Sequence, residues 1–517
     1  MLRSLLAVPQ HLRVRFARTT PTRRRAWAAT LLVVPLATGA WTLQRSSERR
    51  GPQLLEQVMT LVMLRFSDTV GVNALYEKAA RGLVRELNDP YADLLTPADL
   101  ADFELTTNGN YSGLGVLLTP PVNGAVTIEK VYDETPAAEA GVQPGDRVVR
   151  INDTSTVGWS TERVHTRLVG VDGTPVTVAF ERAGYAAPLV HRFIRRRVHV
   201  SSVPFHLMLT PGVGYLPLSR FSDATSRELT QAVRSLRAAG SKGLVLDLRG
   251  NPGGVVEEAL ATANLFLPLG APVLSVRSRE GTQMYRAELE PVLRDVPMVV
   301  LVDGGSASSA EIVAGALQDN HRALLMGSRS FGKGLVQTVY SLDGGYALKM
   351  TTGRWYTPAG RSIHKQPDGT GAIMPDVVVA DDTVTSGERA LREVLAPHAT
   401  TVFAHVTSIA QAHVQKLRSQ SAGALRPGFA VDSAWGNELF TRLRADRVPV
   451  TREQFDAGRT DIDRTLALRV ATLAHGDTLA FRVGLDWDLP LKRAVTLLEQ
   501  SGSTPALLRA ASRDTVS

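Results

Sequence analysis

The spacing of apolar residues separates the chain into regions that predict different structures. Residues 53–105 carry apolar positions at helical intervals, which predict two helices and a turn at Asn88-Asp89-Pro90. Residues 107–200 change to short β-rich runs, such as Val126–Val131 and Arg147–Ile151, with glycine and proline between them. This second region therefore predicts one small β-dominated domain.

The next region alternates the patterns of buried strands and helices. Residues 244–248 form a continuous apolar run before the helical stretch 255–265, and Met298–Val302 is followed by another helical stretch. Such alternation over residues 203–380 predicts an α/β domain. Residues 385–517 are mainly helical and charged in pattern and carry no recognisable chemical motif, so the sequence assigns them no role.

One segment near the amino terminus has the pattern of a membrane helix. Residues 26–43 are eighteen residues without a charge, directly after Arg23-Arg24-Arg25, and a bilayer span needs roughly 17–25. We predict a transmembrane signal-anchor there, with residues 1–25 as a cytoplasmic arginine-rich flank. This predicts a single pass through a bacterial-type inner membrane, with residues 44–517 in the periplasm or extracytoplasmic space. Cleavage after Ala40 and a buried core helix are the alternatives.

Charge and composition narrow the chemistry. The formal net charge is +8, but residues 1–50 hold ten arginines and one acidic residue, and the remainder is nearly neutral. Seven of these arginines lie in the predicted flank 1–25, so most of the excess belongs to it, and no nucleic-acid partner is expected. The chain has 0 cysteines, which excludes thiol nucleophiles, disulfides and cysteine-ligated metals. Its 11 histidines show no metal-ligand spacing, so neither a metal nor another cofactor is predicted.

Two glycine-containing strings mark the β-rich domain. Tyr111-Ser112-Gly113-Leu114-Gly115-Val116 opens it, and residues 135–149 read TPAAEAGVQPGDRVV. Together they resemble the carboxylate-binding loop and the core of PDZ domains. A turn at Gly113, Leu114 and Gly115 exposes backbone N–H groups that can hold a peptide carboxylate, while the strand edge pairs with the peptide. Glycines that only turn hairpins, or a domain that serves as a regulatory lid, are the alternatives.

A serine-rich segment carries the candidate nucleophile. Residues 305–319 read GSASSAEIVAGALQD and lead from the strand Met298–Val302 into a helix. Small residues at such a turn let a hydroxyl project, while the helix amino terminus faces the same spot. A serine needs a base, and Lys333 lies among Phe331, Leu335 and glycines, where desolvation lowers a lysine pKa. The two segments together predict a Ser–Lys site.

The segment that contains Lys333 also matches the sequence pattern of a phosphate-binding loop. Gly327 through Lys333 fits the pattern G-x-x-x-x-G-K of nucleotide-binding proteins. Gly334 stands where that loop needs a serine or threonine for magnesium, and residues 335–340 are strand-like rather than helical. These two departures disfavour a nucleotide site.

The ordered strings resemble those of carboxyl-terminal processing proteases, the tail-specific serine peptidases of family S41. The resemblance covers about residues 70–380 and includes the string Asp247 to Gly254, residues 351–363 and Met374-Pro375-Asp376-Val377. It implies a crotonase-like (ClpP/crotonase) α/β protease domain with an inserted β-rich PDZ domain. The N-terminal helical segment and the C-terminal mainly helical extension flank that core.

The resemblance also implies roles for individual residues. The family nucleophile stands three residues before a glutamate, which is Glu311 here, and this points to Ser308. The family lysine and glutamine then fall on Lys333 and Gln337. The oxyanion would be held by the backbone N–H of Ser309 and by that of Gly253 or Gly254. This chain reads S-A-S-S-A-E where the family has S-A-S-A-S-E, so Ser309 is a neighbouring candidate for the nucleophile.

Alternatives stay open for the base and for regulation. His321 and His364 are candidate bases if the site uses a histidine, as tricorn-like relatives do. Arg195 aligns with an arginine that links peptide binding to activation in some family members, although a solvated basic run is the other interpretation.

The resemblance implies a serine endopeptidase that takes protein substrates with unstructured, apolar C-termini. It also leaves room for a homo-oligomer. The rival hypothesis is a PDZ peptide-binding scaffold without hydrolytic activity.

Overall fold

The computed structural model describes residues 51–121, 124–182, 184–366, 368, 370–379, 385–420 and 431–514. The predicted flank 1–25 and membrane segment 26–43 lie outside these residues. Across the described ranges, no helix is long and apolar enough to cross a membrane. Even the 22-residue helix Ala399–Gln420 is interrupted by histidine, glutamine, lysine and arginine. The predicted inner-membrane localisation with a periplasmic catalytic part is contradicted by this finding.

The chain divides into two compact units at Leu94. The first contains the helices α1 (51–65) and α2 (Val72–Arg85) and the start of the short strand β1 (Asp93–Leu95). Helix α1 leaves several leucines exposed, among them Leu61 and Leu64. An apolar face of this kind is common at protein contacts, and the expected homo-oligomer stays a prediction.

The second unit begins with α3 and the β-rich domain. A capping box of Thr96 and Asp99 starts α3, and Gly109 ends it in the left-handed conformation. Strand β2 pairs with β9, and the remaining strands form an antiparallel sheet in the order β3-β4-β5-β7-β8, with β6 beside β5. The elements are α3 (Pro97–Asn108), β2 (Asn110–Gly113), β3 (Val116–Leu118), β4 (Val126–Val131), α4 (Pro136–Glu139), β5 (Arg147–Ile151), β6 (Thr154–Ser155), α5 (Thr161–Leu168), β7 (Pro175–Glu181), β8 (Leu189–Ile194) and β9 (Arg196–His199).

The α/β domain is built on a six-stranded sheet in the order β10-β11-β12-β15-β16-β19. From β11 onward the strands are parallel. Strands β12 and β15 are buried on both faces, as parallel strands covered by helices must be. Its elements are β10 (Leu207–Thr210), β11 (Val213–Pro217), α6 (Thr225–Ala238), β12 (Gly243–Asp247), α7 (Val256–Asn264), β15 (Met298–Val302), α8 (Ser309–Asp319), β16 (Leu324–Gly327) and β19 (Val377–Val378).

A second sheet of the domain contains the strand that follows Lys333. Its antiparallel strands run in the order β17-β18-β13-β14. Their bounds are β13 (Pro272–Ser278), β14 (Gly281–Arg286), β17 (Leu335–Ser341) and β18 (Ala347–Tyr356).

The carboxyl-terminal helices fall into two groups. Helices α9 to α13 form a core of their own, around Leu391, Ile409 and Leu466. Helices α15 and α16 instead pack on the face of the six-stranded sheet opposite α6, α7 and α8, against Tyr215 and Val299. The bounds are α9 (Ser386–Leu395), α10 (Ala399–Gln420), α11 (Ser433–Ala445), α12 (Arg452–Ala457), α13 (Arg459–His475), α14 (Asp477–Gly484), α15 (Leu489–Gln500) and α16 (Thr504–Asp514). Helices α15 and α16 therefore cover the second face of the protease-domain sheet.

Candidate active site

Ser308 stands at the sharp turn between β15 and α8. It is the residue before the helix and has φ 53° and ψ −114°, a backbone region that costs a non-glycine residue of order 1–3 kcal/mol. Its side chain is half-buried. The turn directs Ser308 away from the strand and places it at the positive end of α8.

The carboxylate of Asp303 holds the turn before Ser308. Asp303 Oδ1 accepts the N–H groups of Gly305 at 2.9 Å, Ser306 at 3.0 Å and Gly250 at 2.8 Å. Ser306 is buried, and its hydroxyl donates to the Leu248 carbonyl at 2.8 Å. Ser306 is thus a structural residue, and Asp303 ties the serine turn to the turn after β12.

Ser309, the neighbouring candidate, has its hydroxyl engaged elsewhere. Its side chain is 0% exposed, and Oγ donates to the Gly254 carbonyl at 2.9 Å. A buried hydroxyl with a committed hydrogen bond is not available for attack on a substrate. This geometry favours Ser308 over Ser309.

The glycine turn after β12 lies directly against the serine. A Cβ built on Gly253 would fall 2.8 Å from Ser308 Cβ and 2.9 Å from the Ser309 nitrogen. Gly253 has φ +95° and donates its N–H to Asn251 Oδ1 at 2.9 Å. A Cβ on Gly254 would fall 1.9 Å from the Phe221 carbonyl oxygen. Only glycine fits these two positions, and the structure brings both next to Ser308 and Ser309.

Glu311 joins the serine turn to the lysine segment. Its buried carboxylate accepts the backbone N–H groups of Ser308 and Lys333, both on Oε2 at 2.9 Å. Oε1 accepts the Gly332 N–H at 2.7 Å and the Ser330 hydroxyl at 2.5 Å. Burial raises the pKa of Glu311, while these four hydrogen bonds act in the opposite direction. In the sequence, Glu311 is only the reference position from which the nucleophile is counted. In the structure, its side chain connects the two candidate catalytic segments.

Lys333 lies two residues before β17, and Gln337 lies within that strand. Lys333 Nζ is 3.5 Å from Gln337 Oε1, next to an irregularity in the pairing of β17 with β18. Burial lowers the pKa of Lys333, Lys349 lowers it further, and Glu311 opposes the shift. Within the described residues, the buried Gln337 Nε2 has no hydrogen-bond partner. The direction of this pKa shift is the one that a lysine base requires.

The phosphate-loop alternative and the His321 alternative fit this geometry poorly. Strand β17 begins at Leu335, directly after Lys333-Gly334, so no helix opens there to bind a phosphate. His321 follows the far end of the 11-residue helix α8, which at ~1.5 Å per residue is about 16 Å from its start. His364 packs its backbone against Gly334, near Lys333, and burial lowers its pKa.

The predicted peptide loop lies in the β-rich domain. The carbonyls of Leu114 and Gly115 accept the N–H groups of Ala137 and Tyr132, each at 2.9 Å. Gly115 has φ +84°, and a Cβ there would collide with Thr135. Val116 donates its N–H to the Tyr111 hydroxyl at 3.0 Å. Hydrogen bonds from the rest of the domain therefore fix the carbonyls of Leu114 and Gly115, and Tyr111 occupies the N–H group of Val116, the residue after the loop.

Comparison with known proteins gives the family. The model of peptidase family S41 matches residues 212–379, and a PDZ-domain model matches residues 127–182. A carboxy-terminal-processing protease of Bartonella bacilliformis is 36% identical over 332 residues, which are 62% of this chain and 74% of that protein. The chain belongs to the carboxy-terminal processing proteases of family S41.

Other relatives agree with this assignment. Carboxy-terminal processing protease CtpA of Bacillus subtilis is 33% identical, over 61% of this chain and 68% of its own length. The carboxyl-terminal-processing protease of Synechocystis is 35% identical, over 60% of this chain and 72% of its own. Among solved structures, a photosystem II D1 C-terminal processing protease is 30% identical, covers 63% of this chain and 86% of its own, and has a TM-score of 0.40.

The family assignment confirms two predictions made from the sequence. The fold class, an S41 α/β protease domain with a PDZ domain and helical segments at both ends, is confirmed. The prediction of a serine-type peptidase is also confirmed, by the family S41 match and by a relative from Staphylococcus saprophyticus named a probable CtpA-like serine protease, which is 32% identical over 67% of this chain and 69% of its own length.

Arg195 has a structural environment that the sequence did not indicate. Its Nε donates to the Leu168 carbonyl at 2.9 Å and its Nη2 to the Arg167 carbonyl at 2.8 Å, at the end of α5. Nη1 donates to Thr174 Oγ1 and to the Pro175 carbonyl, both at 3.1 Å. A cation that satisfies the last carbonyls of a helix is a C-terminal cap, which accounts for Arg195 without a regulatory role.

Proposed function

We propose that this protease cleaves peptide bonds in proteins with unstructured, apolar C-terminal tails, using Ser308 as nucleophile and Lys333 as base. The observation that carries the proposal is the shared hydrogen bonding of the Ser308 and Lys333 segments to Glu311. It fixes the backbones of both residues relative to one another across two sheets. Such pre-positioning of nucleophile and base is what a two-residue site needs.

The chemical steps follow from these positions. Ser308 Oγ attacks the scissile carbonyl carbon while neutral Lys333 Nζ takes the hydroxyl proton. The protonated lysine then gives that proton to the leaving amine as the peptide C–N bond breaks, which leaves an acyl-enzyme on Ser308. A water molecule, deprotonated by Lys333, releases the acyl group and restores the serine. Gln337 Oε1 accepts a hydrogen bond from Lys333 Nζ and orients the amine.

The oxyanion is assigned to backbone donors at the helix start. The Ser309 N–H lies at the amino terminus of α8, beside Gly253. Gly253 already donates its own N–H to Asn251, so we assign the second donor to Gly254. Two N–H groups that point at the developing negative charge contribute several kcal/mol of transition-state stabilisation, about 2.7–4 for one donor.

Tail recognition is assigned to the loop of Gly113, Leu114 and Gly115 and to the strand that follows it. The carbonyls of Leu114 and Gly115 are paired within the domain, and the loop N–H groups are the donors that a terminal carboxylate needs. A tail would then extend along β3 (Val116–Leu118) as an added strand. Apolar tails suit the groove because β3 presents valine and leucines.

The test compares single-residue variants on one substrate. An unfolded reporter protein with an apolar C-terminal tail is incubated with wild-type protein, Ser308→Ala, Lys333→Ala and His364→Ala. We expect the first two variants to lose cleavage and His364→Ala to retain it. Cleavage by Ser308→Ala at the wild-type rate would refute the nucleophile assignment. Tail-dependent binding without any cleavage by the wild-type protein would favour the scaffold hypothesis.

A further inference from the structure

The groove beside the predicted tail-binding strand has a wall that does not belong to the PDZ domain. A cavity of ≈ 420 Å³ is lined by β3, by Thr161, Glu162 and His165 of α5, and by Tyr111. Arg220, from the loop between β11 and α6 of the protease domain, lines the same cavity. The groove is therefore composite, with one cation contributed from outside the peptide-binding domain.

Arg220 differs in its partners from several arginines of the PDZ domain, and it is half-buried, whereas Arg150 and Arg192, which form no ion pair among the described residues, are exposed. Arg182 pairs with Asp146, Arg196 pairs with Glu139, and Arg195 caps α5. Arg220 is half-buried, and the described part of the chain gives its guanidinium neither an ion pair nor a hydrogen bond. Glu162 lines the same cavity but forms no ion pair with Arg220 within the described residues, so this half-buried cation is a natural site for an anionic ligand.

The backbone that carries Arg220 is held firmly. The next residue, Phe221, donates its N–H to the Gly253 carbonyl at 3.0 Å and accepts the Val255 N–H at 3.0 Å. Phe221 is also buried in the protease core. Arg220 is thus presented from a fixed point, so a contact with a ligand would lose little backbone entropy on binding.

The carboxylate-binding loop has a reason to need a further donor. Tyr111 accepts the Val116 N–H at 3.0 Å, and its hydroxyl is 3.4 Å from the Val116 carbonyl. Burial raises the pKa of Tyr111 to about 12, so the hydroxyl stays neutral at physiological pH. One N–H at the start of β3 is therefore occupied, and a carboxylate bound there has one backbone donor fewer.

We propose that Arg220 binds the C-terminal carboxylate of the substrate tail and so completes the PDZ groove from the protease domain. This inference rests on the proposed tail recognition and names an additional residue for it. The guanidinium replaces the donor that Tyr111 occupies and adds a full positive charge. Arg220 is a specificity-determining residue, because a tail whose terminal carboxylate is blocked loses the contact.

The experiment measures binding, so that it does not depend on hydrolysis. Full-length protein carrying Ser308→Ala is titrated against a fluorescein-labelled apolar tail peptide by fluorescence anisotropy. The peptide is used with a free C-terminal carboxylate, as its amide, and as an amide with a terminal glutamate side chain. Arg220→Gln and Arg220→Lys are compared with Arg227→Gln, a matched charge change at an exposed position of α6.

The expected pattern is specific to a carboxylate contact. Arg220→Gln weakens binding of the free-carboxylate peptide by about tenfold to a hundredfold, the range for a charge-assisted hydrogen bond. Arg220→Lys restores part of the affinity, and Arg227→Gln changes nothing. The amidated peptide binds weakly and equally to all variants, which also shows that the groove has stayed folded.

Three outcomes would overturn the proposal. Equal loss of the free and amidated peptides in Arg220→Gln would mean a structural role for Arg220. If Arg220→Gln bound the free-carboxylate peptide with unchanged affinity, Arg220 would have no role in carboxylate binding. Tail recognition by the loop would be unaffected by that result. If the wild-type protein bound the free-carboxylate peptide no more tightly than the amidated peptides, both the Arg220 contact and carboxylate recognition by the loop would be refuted. Hydrolysis by Ser308 and Lys333 is measured separately and survives any of these results.

Discussion

Ser308 and Lys333 donate their backbone N–H groups to the same atom, Glu311 Oε2, each at 2.9 Å. Ser308 precedes a helix behind the parallel sheet, whereas Lys333 leads into the antiparallel sheet. One buried carboxylate therefore sets the relative position of the proposed nucleophile and base. The same carboxylate fixes Gly332 and Ser330 through its other oxygen.

Glu311→Gln tests this role of the carboxylate. The amide keeps the volume but removes the charge and turns an NH2 group toward backbone N–H donors, so hydrogen bonds to Ser308 or Lys333 are lost. We expect kcat to fall about tenfold to a hundredfold, since a charge-assisted hydrogen bond contributes about 1.5–3 kcal/mol. KM changes little, because Glu311 is 0% exposed and does not face the substrate. Steady-state kinetics on a tailed substrate measures both constants.

Glu288→Gln is the control for Glu311→Gln, because it makes the same chemical change at an exposed position. A Glu311→Gln protein with wild-type kcat would show that the shared hydrogen bonds do not position the site. A parallel rise in KM of similar size would point to a general distortion of the domain instead.

The pH dependence of the rate should follow the charge beside Lys333. Burial and then Lys349 lower the pKa of Lys333, and only the neutral amine is a base. The rate therefore rises with pH through this lowered pKa and falls as acid protonates the lysine. Lys349→Met removes a repelling charge, so the pKa of Lys333 rises and the acidic limb moves to higher pH. The measurement is kcat/KM as a function of pH.

Lys242→Met is the matched control for the pH experiment, since Lys242 is exposed at the start of β12. Its pH profile should superimpose on that of the wild type. An acidic limb that stays in place in Lys349→Met would argue against Lys333 as the titrating base.

Ser309→Ala separates the two adjacent serines. The Ser309 hydroxyl donates to the Gly254 carbonyl in a buried position, and its removal leaves that carbonyl with one partner fewer. We expect the free energy of unfolding to drop by about 1–2 kcal/mol while cleavage continues, because the backbone N–H assigned to the oxyanion is unchanged. Denaturant unfolding and a cleavage assay measure the two effects. Complete loss of cleavage in a folded Ser309→Ala protein would move the nucleophile by one position.

Much of the fold was readable from local patterns. The apolar run Met298–Val302 was predicted as a strand and is β15 with the same bounds, because parallel strands buried on both faces have continuous apolar sequence. The antiparallel PDZ strands Val126–Val131 and Arg147–Ile151 also have the bounds that their β-rich sequence predicts. The strand-like residues after Lys333 became β17, which is why the phosphate-loop pattern was misleading.

The site was only partly readable, because several of its connections join distant segments. The spacing from Glu311 pointed to Ser308 and Lys333, but the role of the glutamate depends on donors that lie up to 22 residues away in sequence. Asp303 likewise reaches Gly250, 53 residues earlier. A capping pattern, serine followed three residues later by glutamate, was a visible signal for Glu311. No such signal marked Arg220 or helices α15 and α16, because their contacts are entirely tertiary.

The last two helices should be required for stability of the protease domain. Leu491 of α15 is 1% exposed and packs with Val245 and Val299 of the sheet. Leu491→Ala would cost about 2–5 kcal/mol, as for other buried leucines. Leu269→Ala, at a position that is 57% exposed, should change the free energy of unfolding by less than about 0.5 kcal/mol. Equal, small effects of both substitutions in urea unfolding would mean that the C-terminal helices are dispensable.

The middle C-terminal helices should restrain the PDZ domain in the orientation seen here. Arg469 of α13 donates to Thr407 Oγ1 at 2.9 Å and to the Glu129 carbonyl of β4 at 3.2 Å, and burial lowers its pKa to about 10. Arg469→Met removes both donors, which should weaken local protection of β4 by about 1–2 kcal/mol. Hydrogen exchange should then quicken in β4 but not in β12, and the exposed control Arg444→Met should alter neither strand. Unchanged exchange of β4 would show that the PDZ domain is held without this contact.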